Sequence, residues 1–194
     1  MHGIHTLIKG LAMHKLRLLA PCALATLAFL AASAQAALKI GDTAPSFKTP
    51  AAVAGKTFDF DMAATLKQGP VVLYFFPKAF TQGCTLEAHA FAEATPQFAA
   101  MGAKVVGMSH DDIDTLKRFS TEACRDQFPV ASDPQATTIK AYDAAAAANP
   151  ERADRISYVI GQDGRVKFVL SNSDPLEHVQ KTEAAVKQLQ QARQ

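Results

Sequence analysis

Cysteine is scarce in this chain, with three residues in 194. Two of them, Cys84 and Cys124, lie beyond the N-terminal apolar segment, too few for a disulfide-stapled miniature fold. There is no Cys-x-x-Cys, and no cysteine–histidine cluster has zinc-ligand spacing. A zinc module and a Cys-x-x-Cys redox centre are thereby disfavoured. There is no internal repeat. A strong charge of either sign is also missing. The net charge is +2, and Lys9, Lys15 and Arg17 of the N-terminal segment account for that excess. Without them the balance is −1, 17 basic against 18 acidic residues, so nothing argues for nucleic acid or another polyanion.

What is present begins with a leader pattern. "MHKLRLLAPCALATLAFLAASAQA" has a basic start, an apolar run from Leu18 to Ala32, and the small-x-small ending Ala34-Gln35-Ala36. These are the marks of a cleavable secretory signal peptide over residues 1–36, with Met13 as an alternative start. The apolar run is shorter than the roughly 20 residues that span a bilayer. An uncleaved anchor is the alternative. A lipoprotein site at Cys22 is disfavoured by Pro21. The mature chain is expected to be residues 37–194, 158 residues in one domain, exported to the periplasm and free of the membrane after cleavage.

Strand and helix patterns alternate along that domain. "VVLYFF" (Val71 to Phe76) and "AKVVGMS" (Ala103 to Ser109) read as strands buried on both faces. Leu86, Ala90, Phe91, Ala94 and Phe98 have helical spacing within Thr85 to Met101, and Gly102 ends that helix. Asp112 to Cys124 reads as a second helix, with Asp111 or Asp112 of "HDD" as its cap. "FPVASD" is a short strand. "TIKAYDAAA" starts a helix that continues into the alanines of "DAAAAANPERAD" and stops at Asn149-Pro150, before an exposed loop. Ile156 to Leu170 reads as a hairpin turning at Asp163-Gly164, and Leu176 to Gln191 as a final helix. The order β-α-β-α-β-α-β-β-α implies an α/β fold, a mixed central sheet flanked by helices on both faces. A thioredoxin-like arrangement has that pattern, as do other α/β sandwiches.

Cys84 sits between a strand and a helix in "PKAFTQGCTLEA", Pro77 to Ala88. It is either inert packing or a nucleophile. The first turn of a helix offers unpaired N–H groups and the positive end of the helix dipole, which favour a thiolate. Gly83 removes bulk beside the sulfur, and Thr81 offers a hydroxyl.

Pro77-Lys-Ala-Phe-Thr81-Gln-Gly-Cys84 resembles the Pro-x-x-x-Thr/Ser-x-x-Cys signature of peroxiredoxins. It is most similar to the peroxiredoxin Q and bacterioferritin comigratory protein group. "LKIGDTAPSF" from Leu38 resembles that group's opening, and "DRISYVIGQDGRV" its arginine-bearing hairpin. The resemblance implies a thioredoxin-like fold and reduction of hydrogen peroxide and organic hydroperoxides, with Cys84 as nucleophile. Arg155 and Thr81 would bind the peroxide, and Pro77 would shield the sulfur from water. It implies no metal and no organic cofactor. An ion pair of Arg155 with Asp154 or Glu151 is the alternative reading of that arginine.

The resemblance has one gap. Many members carry a resolving cysteine five residues after the nucleophile, where this chain has His89, read as a helix-surface residue. Cys124 is the remaining candidate, with Arg125 beside it expected to make the thiol more acidic. An inert, packed Cys124 would leave a one-cysteine enzyme resolved by an external thiol. A thiol–disulfide oxidoreductase or copper-thiol carrier on the same fold is a further alternative, and it lacks its second sulfur. A non-enzymatic holdase has no exposed apolar motif behind it. The expected reductant is a thioredoxin-like or other dithiol protein. The expected state is a monomer or a homodimer.

Overall fold

The computed structural model describes residues 37–192; the expected leader lies outside them. Two antiparallel strands, β1 (Lys48–Val53) and β2 (Lys56–Asp61), open the fold. They join at Ala54 and Gly55, both at positive φ (+50° and +70°). The short helix α1 (Met62–Leu66) follows, capped by Asp61, whose carboxylate accepts from Ala64 N. Then come β3 (Val71–Phe75), α2 (Gln82–Ala100), β4 (Lys104–Ser109), α3 (Ile113–Glu122), β5 (Val130–Ser132) and α4 (Thr137–Ala141). The chain closes with β6 (Ala145–Ala146), β7 (Asn149–Ala153), β8 (Ile156–Ile160), β9 (Val166–Ser171) and α5 (Pro175–Gln191). Of the two caps expected for α3, Asp112 is the one used, accepting from Thr115 N.

Seven strands form one sheet in the order β2-β1-β5-β4-β3-β8-β9. The centre is parallel (β5, β4, β3), and each flank is antiparallel. Only the β8–β9 flank was expected; the β1–β2 flank is an addition. Every residue of β3 is buried, as its unbroken apolar run requires. One face packs α2, α3 and α5 through Phe91, Phe98, Leu116, Phe119, Val179 and Val186. The other packs α1 and α4 through Met62, Leu66 and Ile139, together with Tyr142. This is the thioredoxin-like arrangement with helices on both faces.

The alanine run departs from the sequence expectation. The helix does not continue into it, because α4 ends in a Schellman motif. Asp143 takes the left-handed conformation (φ +51°). Its N–H bonds to Lys140 O at 3.0 Å, and Ala144 N–H to Ile139 O at 2.9 Å. The alanines beyond it pair as the small β6–β7 sheet. Ala144 and Ala153 are buried against the core, so tertiary packing overrides the helix propensity of alanine.

Candidate active site

β3 delivers the chain to the site at its C-terminal end. Phe76 N still bonds to Met108 O, and Pro77 then ends the pairing. The loop from Pro77 to Thr81 leads into α2, which begins at Gln82, three residues earlier than the sequence suggested. Thr81 is the N-cap, and Thr85 N bonds to Thr81 O as the first helical bond. Cys84 therefore lies inside the first turn, near the N–H groups that the helix leaves without helical partners. Its side chain is buried, 2% exposed.

Arg155, just before β8, reaches the same point. Its Nη2 donates to Cys84 Sγ at 3.5 Å. A Cβ on residue 83 would come within 3.2 Å of that nitrogen, so Gly83 keeps the approach open. Guanidinium and helix dipole both favour negative charge on the sulfur. The ion-pair alternative for Arg155 took an unexpected form. Its partner is neither Asp154 nor Glu151 but Glu87, whose carboxylate accepts from Arg155 Nη1. Burial pushes the Glu87 carboxyl up to about 8, opposed by the Arg155 guanidinium. Its second oxygen, Oε1, is buried with no hydrogen-bond partner.

Thr81 and Pro77 stand at the mouth of the site. The Thr81 hydroxyl donates to Lys78 O at 3.0 Å and makes no capping bond, so in this state it braces the loop instead of the sulfur. Pro77 is half-buried and shares a depression of about 380 Å3 with Asp154, Arg155, Ser171, Asn172 and Ser173. The far rim of that depression is fixed from below. His178 is fully buried, with Nε2 at 3.1 Å from Asn172 O and Nδ1 at 2.8 Å from the Ser157 hydroxyl. A carbonyl can only accept, so Nε2 carries the proton and Nδ1 accepts from serine. Burial, with help from nearby Arg155, holds the His178 imidazolium form below its usual range.

Cys124 follows the C-cap of α3, Ala123. It is fully buried in the same apolar cluster as Cys84, and both thiols are free. The expectation that Arg125 acidifies Cys124 is overturned. Arg125 turns outward at φ +50° and pairs with Glu93 at 3.0 Å. Burial, reinforced by the Asp126 carboxylate, instead drives the Cys124 thiol far up. His89 lies partly exposed along α2, as read from the sequence.

The sequence reading did not single out Glu87 as part of the site. A signal was present. Glu87 shares a helix face with Cys84, three residues before it, and heads the stripe Phe91, Ala94, Phe98. An acid in a core-facing stripe needs a cation, and Arg155 supplies it. Tyr74 was also missed. Its hydroxyl is buried without a partner, and its ring stacks on Phe91 at 4.4 Å. It fits because its register partner on β4 is Gly107, where a Cβ would lie 2.8 Å from the tyrosine ring.

A buried thiol at a helix N-terminus with an arginine on its sulfur, set on a thioredoxin-like sheet, defines a thiol-based redox enzyme. Residues 40–169 match the AhpC/TSA family, and the chain belongs to that family. A Mycobacterium tuberculosis protein that carries the name peroxiredoxin is 32% identical over 137 residues, 70% of this chain and 86% of the other. Peroxiredoxin Q, chloroplastic, of Populus jackii is 34% identical over 143 residues, 73% of this chain and 65% of that one. The crystal structure of peroxidoxin BcpB from Mycobacterium tuberculosis is 30% identical, with a TM-score of 0.70 over 78% of this chain and 97% of that one. Mycobacterium tuberculosis AhpC, at 21% identity and a TM-score of 0.71 over 80% and 94% of the two chains, shares the fold. The expected peroxiredoxin resemblance is thus met, and the enzyme class is that of a peroxidase of the oxidoreductases.

Proposed function

We propose that this enzyme reduces hydrogen peroxide and organic hydroperoxides through Cys84. The observation that carries the reading is the Arg155 Nη2 contact on Cys84 Sγ inside the first turn of α2. The thiolate attacks one peroxide oxygen. The O–O bond breaks, its electron pair leaves with the distal oxygen, and a proton completes water or an alcohol. The sulfur, now oxidised, is a sulfenic acid. Arg155 stabilises the charge that develops on the oxygens and favours the thiolate before attack. Thr81 turns its hydroxyl from Lys78 O to the bound peroxide, and Pro77 keeps bulk water from the sulfur.

Cys124 then resolves the sulfenic acid. Its sulfur forms the S–S bond, the hydroxyl leaves Cys84, and the Cys124 proton departs with it as water. A thioredoxin-like or other dithiol protein reduces the disulfide and is itself oxidised. That bond needs the two Cα atoms within about 7 Å of each other. The complete burial of Cys124 favours a second reading, an enzyme with one working cysteine that an external thiol resolves. The leader pattern supports export to the periplasm, and either a monomer or a homodimer is consistent with the cycle.

Peroxide consumption with dithiothreitol as reductant tests the nucleophile. Cys84→Ser is expected to abolish it. A Cys84→Ser enzyme that still consumes peroxide at the wild-type rate would refute the reading. Cys124→Ser should retain peroxide reduction, because dithiothreitol can resolve the sulfenic acid directly.

A further inference from the structure

The strands β3, β4 and β5 run parallel, and a second depression lies beyond their C-terminal ends, beside the catalytic one. Open α/β sheets hold their ligands at that end of the strands. Its volume is about 310 Å3, room for a carboxylate and several carbons. Pro77 beyond β3 and Pro134 beyond β5 give it apolar walls. His110, directly after β4, lies between them, as β4 lies between β3 and β5.

Lys78 and Arg152 complete the lining with two positive charges. Both are exposed, and neither side chain has an ion pair or a hydrogen bond among the described residues. The two acids on the same rim are engaged. Asp111 accepts from Ala79 N and from the Ser109 hydroxyl, each at 2.8 Å. Asp112 caps α3, accepting from Thr115 N at 2.8 Å and from the Thr115 hydroxyl at 3.1 Å. Nδ1 of His110 is buried without a partner, so no protein group fixes its tautomer from that side. Two free cations beside two committed carboxylates suit a monoanion, because a dianion would also meet the carboxylates. A planar carboxylate matches the guanidinium fork of Arg152.

The segments that frame this depression also frame the catalytic one. Pro77 lines both, and Lys78 is its neighbour. Arg152 precedes Arg155 by three residues, a span of at most about 11 Å. A molecule with its O–O group at Arg155 and Cys84 can therefore lay its far end against Lys78 and Arg152.

We propose that this depression is a substrate subsite for the carboxylate of an organic hydroperoxide, held by Arg152 and Lys78 while Cys84 attacks the O–O bond at the other end. The subsite serves the reaction proposed for Cys84 and rests on that reading. The thiolate takes the terminal hydroperoxide oxygen, the O–O bond breaks, and the alkoxide leaves as an alcohol once protonated, still bearing its carboxylate. The sulfur is oxidised and the peroxide reduced.

Para-carboxy cumene hydroperoxide and its methyl ester differ in that charge. The second-order rate constant for Cys84 oxidation is measured with each, and with hydrogen peroxide, by quenched flow and intact mass. Wild type is expected to favour the acid over the ester by about tenfold, less at high salt. Arg152→Gln and Lys78→Gln each cut that ratio by about threefold, and the double variant abolishes the preference. Arg152→Lys, which keeps the charge, retains most of it. Arg152→Gln leaves the hydrogen peroxide rate unchanged. Para-isopropyl benzoate, which has the carboxylate and no peroxide, competes with the acid. Equal rates for acid and ester in wild type, or an unchanged ratio in the double variant, overturn the subsite. A benzoate effect on hydrogen peroxide reduction without an acid-over-ester preference assigns the depression to a free carboxylate and overturns its substrate role. A wild type that forms no sulfenic acid at Cys84 with hydrogen peroxide overturns the nucleophile reading instead.

Discussion

Removing Arg155 is the perturbation with the largest expected consequence. Its side chain is 10% exposed and that of Glu87 is 0% exposed, so the pair is shielded from water. Arg155→Met deletes the cation and leaves a buried carboxyl group without its partner. Breaking a buried pair from one side costs about 3–5 kcal/mol when the pair is charged. Burial lifts the Glu87 carboxyl to about 8, so at neutral pH it is mostly protonated and the loss is smaller. The cost should grow toward the lower figure as pH rises through about 8, roughly 6–12 °C in Tm there. Glu87→Gln added to Arg155→Met removes the buried acid and should recover most of that loss. It should not recover activity. Peroxide reduction should fall about 100-fold to 1,000-fold in both, since the donor for the developing oxyanion is gone. Urea unfolding of the four proteins of the cycle, at pH 7 and pH 9, gives the stabilities. In the alkaline measurement, a cost under about 1 kcal/mol for Arg155→Met, or a double variant no more stable than the single, would refute the reasoning.

Glu87 also links stability to pH. Its folded-state value lies above the ordinary 4.5, so its stabilising contribution is full below 4.5 and lost as pH rises through about 8. Relative to wild type, Glu87→Gln should gain stability steadily across that window, measured as the Tm difference at successive pH values. His178 works in the opposite direction. Its value is held down by burial, so its contribution is present above about 6.5 and lost as pH falls, and thermal unfolding of His178→Gln should be flatter in acid than that of wild type. Tyr74→Phe keeps the ring stack and deletes a buried hydroxyl without a partner, so urea unfolding should show it about 1 kcal/mol more stable. Gly69→Ala would drive a Cβ to 2.0 Å from Gly102 O, a backbone atom that cannot move aside, and should cost at least about 1–3 kcal/mol in the same assay.

The parts of the fold written in a single stretch of sequence were legible. β3 is an unbroken apolar run, α2 has its stripe, and the β8–β9 hairpin has Asp163-Gly164, with Gly164 at φ +71°. The β1–β2 hairpin was not legible because its turn uses Ala54 at positive φ, where Asn-Gly or Asp-Gly would have announced it. The alanine run misled for a related reason. Asp143 in the left-handed conformation ends α4 where alanine alone would continue. In the site, Pro77, Thr81 and Cys84 were readable as one spaced motif. Arg155 was reached by resemblance, and the structure brings it to the sulfur across 71 residues. Glu87 and the Ser157–His178 pair depend on contacts between distant elements, which local patterns do not carry. The direction of Arg125 could not be read from its being next to Cys124, because the left-handed turn at Arg125 sends that side chain to Glu93.

The central claim is that Cys84 is oxidised by peroxide and that Cys124 resolves it. The most direct test is one equivalent of hydrogen peroxide on the reduced protein without reductant, followed by intact mass and free-thiol count. The account predicts a loss of about 2 mass units and of both thiols, abolished by Cys124→Ser. A gain of about 16 or about 32 mass units with Cys124 still free would contradict the resolving role. An unchanged mass would contradict the account at its root, by returning Cys84 to packing.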